Sequence, residues 1–216
     1  MQGEVLECAS LRWTGIDGDR QYAFYRAANR SRFPWLTARV AAGMVRYMPR
    51  YADGADPRSS APDGEIYDIA AAALAARLCG EAGEEVRLLQ VGRGVFDSMP
   101  VSVITTGTGR QIEERFGRAL DLRRFRANIV IAADGVSEEK WLGAALRFGT
   151  SADLPRLRLN CRIKRCAVPT IDPDSAVRDA TILRLLVEDF GNEIGAYGTV
   201  EARGTITLGD PVYLAQ

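Results

Sequence analysis

Residues 157–175 read LRLNCRIKRCAVPTIDPDS. From Leu157 to Ile163 apolar and polar residues alternate with period two, which predicts a half-buried strand. Leu157, Leu159 and Cys161 share its apolar side, so Cys161 reads as core. The strand delivers a second thiol, Cys166, into the loop beyond its end, directly after Lys164 and Arg165. Pro169, Asp172 and Pro173 then set a turn that holds this thiol in one place. Neighbouring cations favour the thiolate, the form that reacts and binds metals. Soft thiolate donors suit soft or high-valent transition metals better than calcium or magnesium. The residue types also allow a plainer role for Cys166, a small apolar side chain at a strand end.

Short elements surround this stretch on both sides. QYAFYRA (21–27), EVRLLQV (85–91) and FRANIVIA (125–132) read as strands, and FDSMPVSVIT (96–105) ends in an alternating apolar run. GTVEARGTITLGDPVYL (198–214) reads as two strands joined at Glu201–Gly204. Helices are expected over IAAAALAARLCG (69–80), ended by Gly80, and RDATILRLLVEDFG (178–191), ended by Gly191. TGTGRQIEERFG (106–117) starts a shorter helix with Thr108 and Gln111 at capping-box spacing, and SEEKWLG (137–143) is a helical turn. GIDGDR (15–20) is a turn, and ADGADPRSSAPDGE (52–65) an exposed loop. Many short strands with a few helices predict a mainly β chain with α (α+β), built on a barrel-like β core and not on a parallel doubly wound sheet. A seam near 92–96 divides a small N-terminal β-rich part, 1–92, from the remainder, 93–216.

The 216 residues contain 28 Lys+Arg and 28 Asp+Glu, so net charge offers no argument for nucleic acid or an acidic membrane. No run approaches the roughly 20 apolar residues of a bilayer span, and the N-terminus is not patterned as a secretion signal. Four cysteines (8, 79, 161 and 166) form no regular framework, which suits a reducing compartment. The expected location is the cytoplasm. Histidine is absent. That removes Ser-His and Cys-His nucleophile pairs and every imidazole metal site. Catalysis must run on Cys, Asp, Glu, Lys, Arg or Tyr, or on a bound cofactor.

A second cluster is DLRRFRANIVI (121–131). Alternation would place Arg124, Arg126 and Asn128 on one face, where guanidinium groups bind phosphate through forked hydrogen bonds. A solvated strand edge fits these residues equally. The pairs Gly92/Gly94 and Gly107/Gly109 lack the strand, GxGxxG, helix context of a dinucleotide site.

Singly these signals are short; their order is specific. GIDGDRQYAF, LTAR, FDSMPVSVIT, RRFRANIVI, EEKWLG, CRIKRCAVPTIDPDS and GTITLGDPVYL follow one another in a way that resembles the MOSC family, the molybdenum cofactor sulfurase C-terminal domains and their amidoxime-reducing relatives. The resemblance runs across nearly the whole chain, and RC-x3-T-x-DPD and F-R-x-N-I-V are its most specific parts. It implies a closed β-barrel-like core with peripheral helices, a small N-terminal β subdomain, and a molybdenum pterin (molybdopterin) cofactor. By resemblance, Cys166 is the catalytic cysteine and the thiolate ligand of molybdenum. Arg20, Asp97, Ser98, Arg126, Asn128, Arg165 and Tyr197 match cofactor contacts, Arg165 standing beside the thiol. The family likeness also carries pyridoxal phosphate binding. Two departures stand out: relatives carry a phosphate-contacting Lys-Ser-type segment ahead of the point where MQGEVLECAS starts, and Ile163 stands where many have a cysteine.

The activity implied is reduction of N-hydroxylated or other N-oxygenated small molecules. No cysteine cluster for an iron–sulfur centre and no flavin-type glycine motif occurs, so electrons would come from a separate ferredoxin- or flavoprotein-type donor. A sulfur (persulfide) or molybdenum cofactor carrier, or a non-catalytic MOSC binding module, are the alternatives.

Overall fold

The structure is a computed structural model that describes residues 1–51, 56–150 and 154–215. The described residues contain fourteen strands: β1 Cys8–Arg12, β2 Gly15–Ile16, β3 Tyr22–Arg26, β4 Met48–Arg50, β5 Arg58–Ser60, β6 Ile66–Asp68, β7 Val86–Gln90, β8 Val101–Thr105, β9 Ile129–Ile131, β10 Ala145–Phe148, β11 Arg156–Lys164, β12 Glu193–Ala202, β13 Gly204–Thr207 and β14 Val212–Ala215. Three helices accompany them, α1 Ala72–Ala82, α2 Thr106–Phe116 and α3 Ala180–Phe190. The elements group into two compact units. One comprises Met1–Glu4, Arg20–Val95 and Thr170–Asp179, the other Val5–Asp19, Phe96–Pro169 and Ala180–Gln216.

The first unit pairs β3 with β7, and separately orders β4, β5 and β6 into a three-stranded antiparallel sheet. Its core gathers Phe24, Leu36, Met44, Tyr47, Leu74, Leu78 and Val86. Leu74 and Leu78, one helical turn apart on α1, are fully buried. The helix closes at Gly83 in left-handed conformation, three residues beyond the expected stop at Gly80. Of the expected loop 52–65, residues 52–55 lie outside the described residues; the remainder contains β5.

The second unit is built on a six-stranded sheet in the order β14-β10-β11-β12-β8-β9. All neighbours are antiparallel except β8 and β9. A parallel pair needs a long crossover, and α2 with the 3-10 turn Leu122–Phe125 supplies it. All five residues of β8 are buried, as a strand covered on both faces must be. One cluster holds Leu11, Val101, Val103, Leu146, Leu157, Leu159 and Ala196, and another holds Ile104, Ile112, Phe125, Ile182, Leu186 and Ile194.

The sheet is open and not a closed barrel: β14 and β9 are its edges, and no ladder joins them among the described residues. Beyond β12, β13 pairs with β1 in a separate sheet ordered β13-β1-β2, and β14 returns to the six-stranded sheet only as its edge, beside β10. Residues 198–214 accordingly hold the end of β12 and two further strands. The strand expected over 125–132 is only Ile129–Ile131. Asp121 caps the preceding 3-10 turn, its side chain accepting from Arg123 N, and Arg126 ends that turn in left-handed conformation, so Arg124 and Arg126 do not alternate on a strand. The cap of α2 is Thr105, whose hydroxyl accepts from Thr108 N at 3.0 Å, and not Thr108.

Candidate functional site

The thiol lies at the exit of a long strand. Leu157, Leu159 and Ile163 of β11 are buried, and register shifts interrupt its pairing with β12 between Leu159 and Cys161 and between Arg162 and Lys164. Cys161, between these shifts and on the same side as Leu159 and Ile163, is only half-buried and not core as its period suggested. Cys166 follows the end of β11 as a free, half-buried cysteine. A 3-10 turn, Val168–Thr170, succeeds it. Within Asp172–Ser175 the Asp172 carboxylate accepts from Asp174 N and from both Ser175 N and Ser175 Oγ, an Asx-type turn.

Arg165 turns inward. Its Nε donates to Ile194 O at 2.7 Å and its Nη1 to Phe125 O at 2.9 Å. The guanidinium stacks 5.3 Å from the Phe125 ring centre, and Nη2 is buried with no hydrogen-bond partner. Asn192 clamps the main chain, donating from Nδ2 to Arg165 O at 2.8 Å and accepting from Arg165 N through its own carbonyl at 2.9 Å. Burial pulls the Arg165 pKa down to about 10, opposed by the negative charge available at Tyr197, Cys166 and Glu138. The group is a cation at neutral pH.

Around it the second unit assembles four of the sequence motifs. Tyr197 on β12 lies opposite Ser102 on β8. Ser102 donates from both N and Oγ to Asn128 Oδ1, at 3.0 and 2.8 Å. Asn128 Nδ2 donates in turn to Asp19 Oδ2 at 2.9 Å, which joins the FRAN segment to the end of the GIDGD turn. A Cβ on Gly15 would fall 2.9 Å from Pro100 Cβ and 3.6 Å from the Phe96 ring, so FDSMP lies against the same turn. Asp97 and Ser98, between Phe96 and Pro100, are exposed.

Arg126 is exposed and Arg20, in the first unit, half-buried. Both hold φ of +53°. Few residues other than glycine take this conformation, and such backbone strain collects at functional sites. The Arg20 carbonyl accepts from Val95 N at 3.0 Å.

Three residues not singled out from the sequence complete the second-unit arrangement: Asn192, Ser102 and Glu138. Glu138 opens the helical turn Glu138–Trp141, and only 2% of it is exposed. Its Oε2 accepts from Thr105 N, Thr105 Oγ1 and Thr108 Oγ1 at 2.9, 3.0 and 2.7 Å, and its Oε1 from Gly195 N at 2.9 Å. The EEKWLG stretch signalled a helical turn, but a carboxylate there is ordinarily solvated, and nothing local in the sequence marks its burial.

The MOSC domain profile matches residues 91–213, a span that includes Asp97, Ser98, Arg126, Asn128, Arg165, Cys166 and Tyr197. Mitochondrial amidoxime-reducing component 1 of Mus musculus is 30% identical over 132 residues, 55% of this chain and 37% of that protein; the similarity thus spans little more than a third of the relative's length. Among solved structures, the YUAD protein from Bacillus subtilis is 13% identical with a TM-score of 0.49, covering 98% of this chain and 87% of that one. YiiM from Geobacillus stearothermophilus is 20% identical with a TM-score of 0.39, covering 54% of each chain. No helix among the described residues is long and apolar enough to cross a membrane. With the profile matched over more than half its length, the chain belongs to the MOSC domain family.

Proposed function

We propose that this chain holds a molybdenum pterin cofactor through the thiolate of Cys166 and reduces N-hydroxylated or related N-oxygenated small molecules. The observation that carries this reading is a free, half-buried thiol at the exit of β11, backed by a guanidinium that carbonyl groups fix in place. The donor set fits the group: a soft sulfur donor for the metal, and cations for an anionic pterin. The cofactor supplies the two-electron oxygen-removal chemistry when bound, which suits a chain without histidine.

The chain's own residues bind and orient. Cys166 is the metal ligand and Arg165 keeps its loop in place. Within the second unit Arg126 offers a guanidinium group, and Asp97, Ser98 and Tyr197 offer polar contacts. Asn128 holds the arginine-bearing segment to β8 through Ser102. Reduction of an N–OH group to N–H and water consumes two electrons and two protons, delivered through a separate redox protein of ferredoxin or flavoprotein type. The mouse relative's name, an amidoxime-reducing component, supports the substrate class.

Metal analysis of wild type beside Cys166→Ala, both expressed in a host that makes the cofactor, tests the reading. Stoichiometric molybdenum in the first and little in the second is expected; equal metal in both overturns the ligand assignment. The half-buried free thiol also favours a second reading, a sulfur carrier. Cyanide-labile sulfur on Cys166 without amidoxime turnover would select it, and absence of both metal and sulfur would select a binding module.

A further inference from the structure

We infer that Glu138 is a positioning residue for Cys166, acting through a single peptide group and Arg165. The inference deepens the proposed function and rests on Cys166 being the cofactor ligand. The peptide between Ile194 and Gly195 has two hydrogen-bonding ends that point in opposite directions. Its N–H donates to Glu138 Oε1 at 2.9 Å, and its C=O accepts from Arg165 Nε at 2.7 Å. A carboxylate on the N–H polarises the peptide and makes its carbonyl a stronger acceptor for the guanidinium, the cooperative strengthening of linked hydrogen bonds. Arg165 immediately precedes Cys166, and its Nη1 also holds Phe125 O, the carbonyl next to Arg126. One buried carboxylate thereby governs both the cysteine loop and the arginine segment.

Other roles for Glu138 fit the surroundings less well. Its carboxylate accepts four hydrogen bonds, all from protein donors. The cavity it lines with Thr108, Ser137 and Gly195 holds about 30 Å³, space for a water and not for a substrate. Glu138 therefore does not act by touching a ligand.

Three variants separate positioning from plain structural support. Glu138→Gln sets an amide NH2 against either Gly195 N–H or the threonine donors, so the carboxylate no longer serves both sides. Glu138→Asp keeps the charge but is one methylene shorter, which withdraws Oε1 from Gly195. Thr108→Val removes a donor from the same carboxylate without touching the Ile194–Gly195 peptide. Backbone hydrogen exchange in the cofactor-free proteins, followed over residues 163–168, is expected to accelerate about tenfold in both Glu138 variants and to stay at the wild-type rate in Thr108→Val. Molybdenum content after expression in a cofactor-making host is expected to fall at least about fivefold in the Glu138 variants only. Wild-type exchange in the Glu138 variants, or equal acceleration in Thr108→Val, overturns the inference. Where Glu138→Gln does not fold, the Asp variant decides. If wild type binds no molybdenum the proposed function fails, while the exchange rates still decide the role of Glu138.

Discussion

Replacing Gly195 with alanine strikes the junction between Glu138 and Arg165 from its third side. Gly195 has φ of +80°, and a Cβ built there lies 2.7 Å from Arg165 Nη2, 3.1 Å from Val103 O and 3.3 Å from Ile163 Cδ1. Left-handed backbone costs an L-residue about 1–2 kcal/mol, and overpacking a filled interior costs about 1–3 kcal/mol. Arg165 cannot simply swing aside, since Nε and Nη1 are bonded to the carbonyls of Ile194 and Phe125. The expected loss is about 2–5 kcal/mol, which for a protein of this size lowers Tm by about 4–20 °C. Thermal melts of Gly195→Ala beside Gly80→Ala measure it. Gly80 lies within α1, and nothing lies within 4 Å of a Cβ built there. That variant should instead gain about 0.5–1 kcal/mol from helix propensity. A Gly195→Ala protein melting within about 2 °C of wild type, less than 1 kcal/mol would give, refutes both the packing of Arg165 and the left-handed glycine.

Arg126→Gly relieves a left-handed arginine at φ +53°. Stability in urea is expected to hold or rise by up to about 1 kcal/mol while molybdenum content falls; a variant that keeps its metal argues against Arg126 as a cofactor contact. Asp121 resists a burial effect that would raise its pKa, because hydrogen bonds from the Arg123 side chain and backbone hold it charged, and its pKa ends below the ordinary carboxylate range. Its folded pKa is thus lower than its unfolded one, so its stabilisation is complete above the unfolded value and is lost as pH falls through the folded value. Wild type should lose more stability on acidification below about pH 4 than Asp121→Asn, and parallel pH curves for the two would remove Asp121 as an acid-sensitive cap.

The fold was partly legible because its signals are local. Alternation in LRLNCRI marks β11, and the helices over 106–117 and 178–191 were placed to within two residues, since apolar spacing and glycine stops act within one segment. That the sheet stays open was not legible, because it turns on which distant strands pair: β14 joins β10 at one edge and β9 joins β8 at the other, while β13 goes elsewhere. Gly204–Thr207 pairs with Cys8–Leu11, nearly two hundred residues earlier, and nothing within β13 names that partner. Cys161 keeps the side of Leu159 and Ile163 yet is only half-buried, beside a register shift against β12 that the sequence of β11 alone does not show.

The electrostatics behind Cys166 were hidden for a deeper reason. Lys164 and Arg165 both read as cations near the thiol, but Lys164 is exposed and only Arg165 turns inward. Its hydrogen bonds go to main-chain oxygens, which depend on the path of the backbone and on no particular residue type. That choice matters chemically. A guanidinium paired with a carboxylate is neutralised by it, whereas one held by carbonyl dipoles is oriented and keeps its charge. Glu138 completes the design by standing one peptide away, near enough to steady the cation and bonded to other donors throughout. The positive charge stays within electrostatic reach of Cys166 and Tyr197, two residues that the proposed function gives to an anionic cofactor.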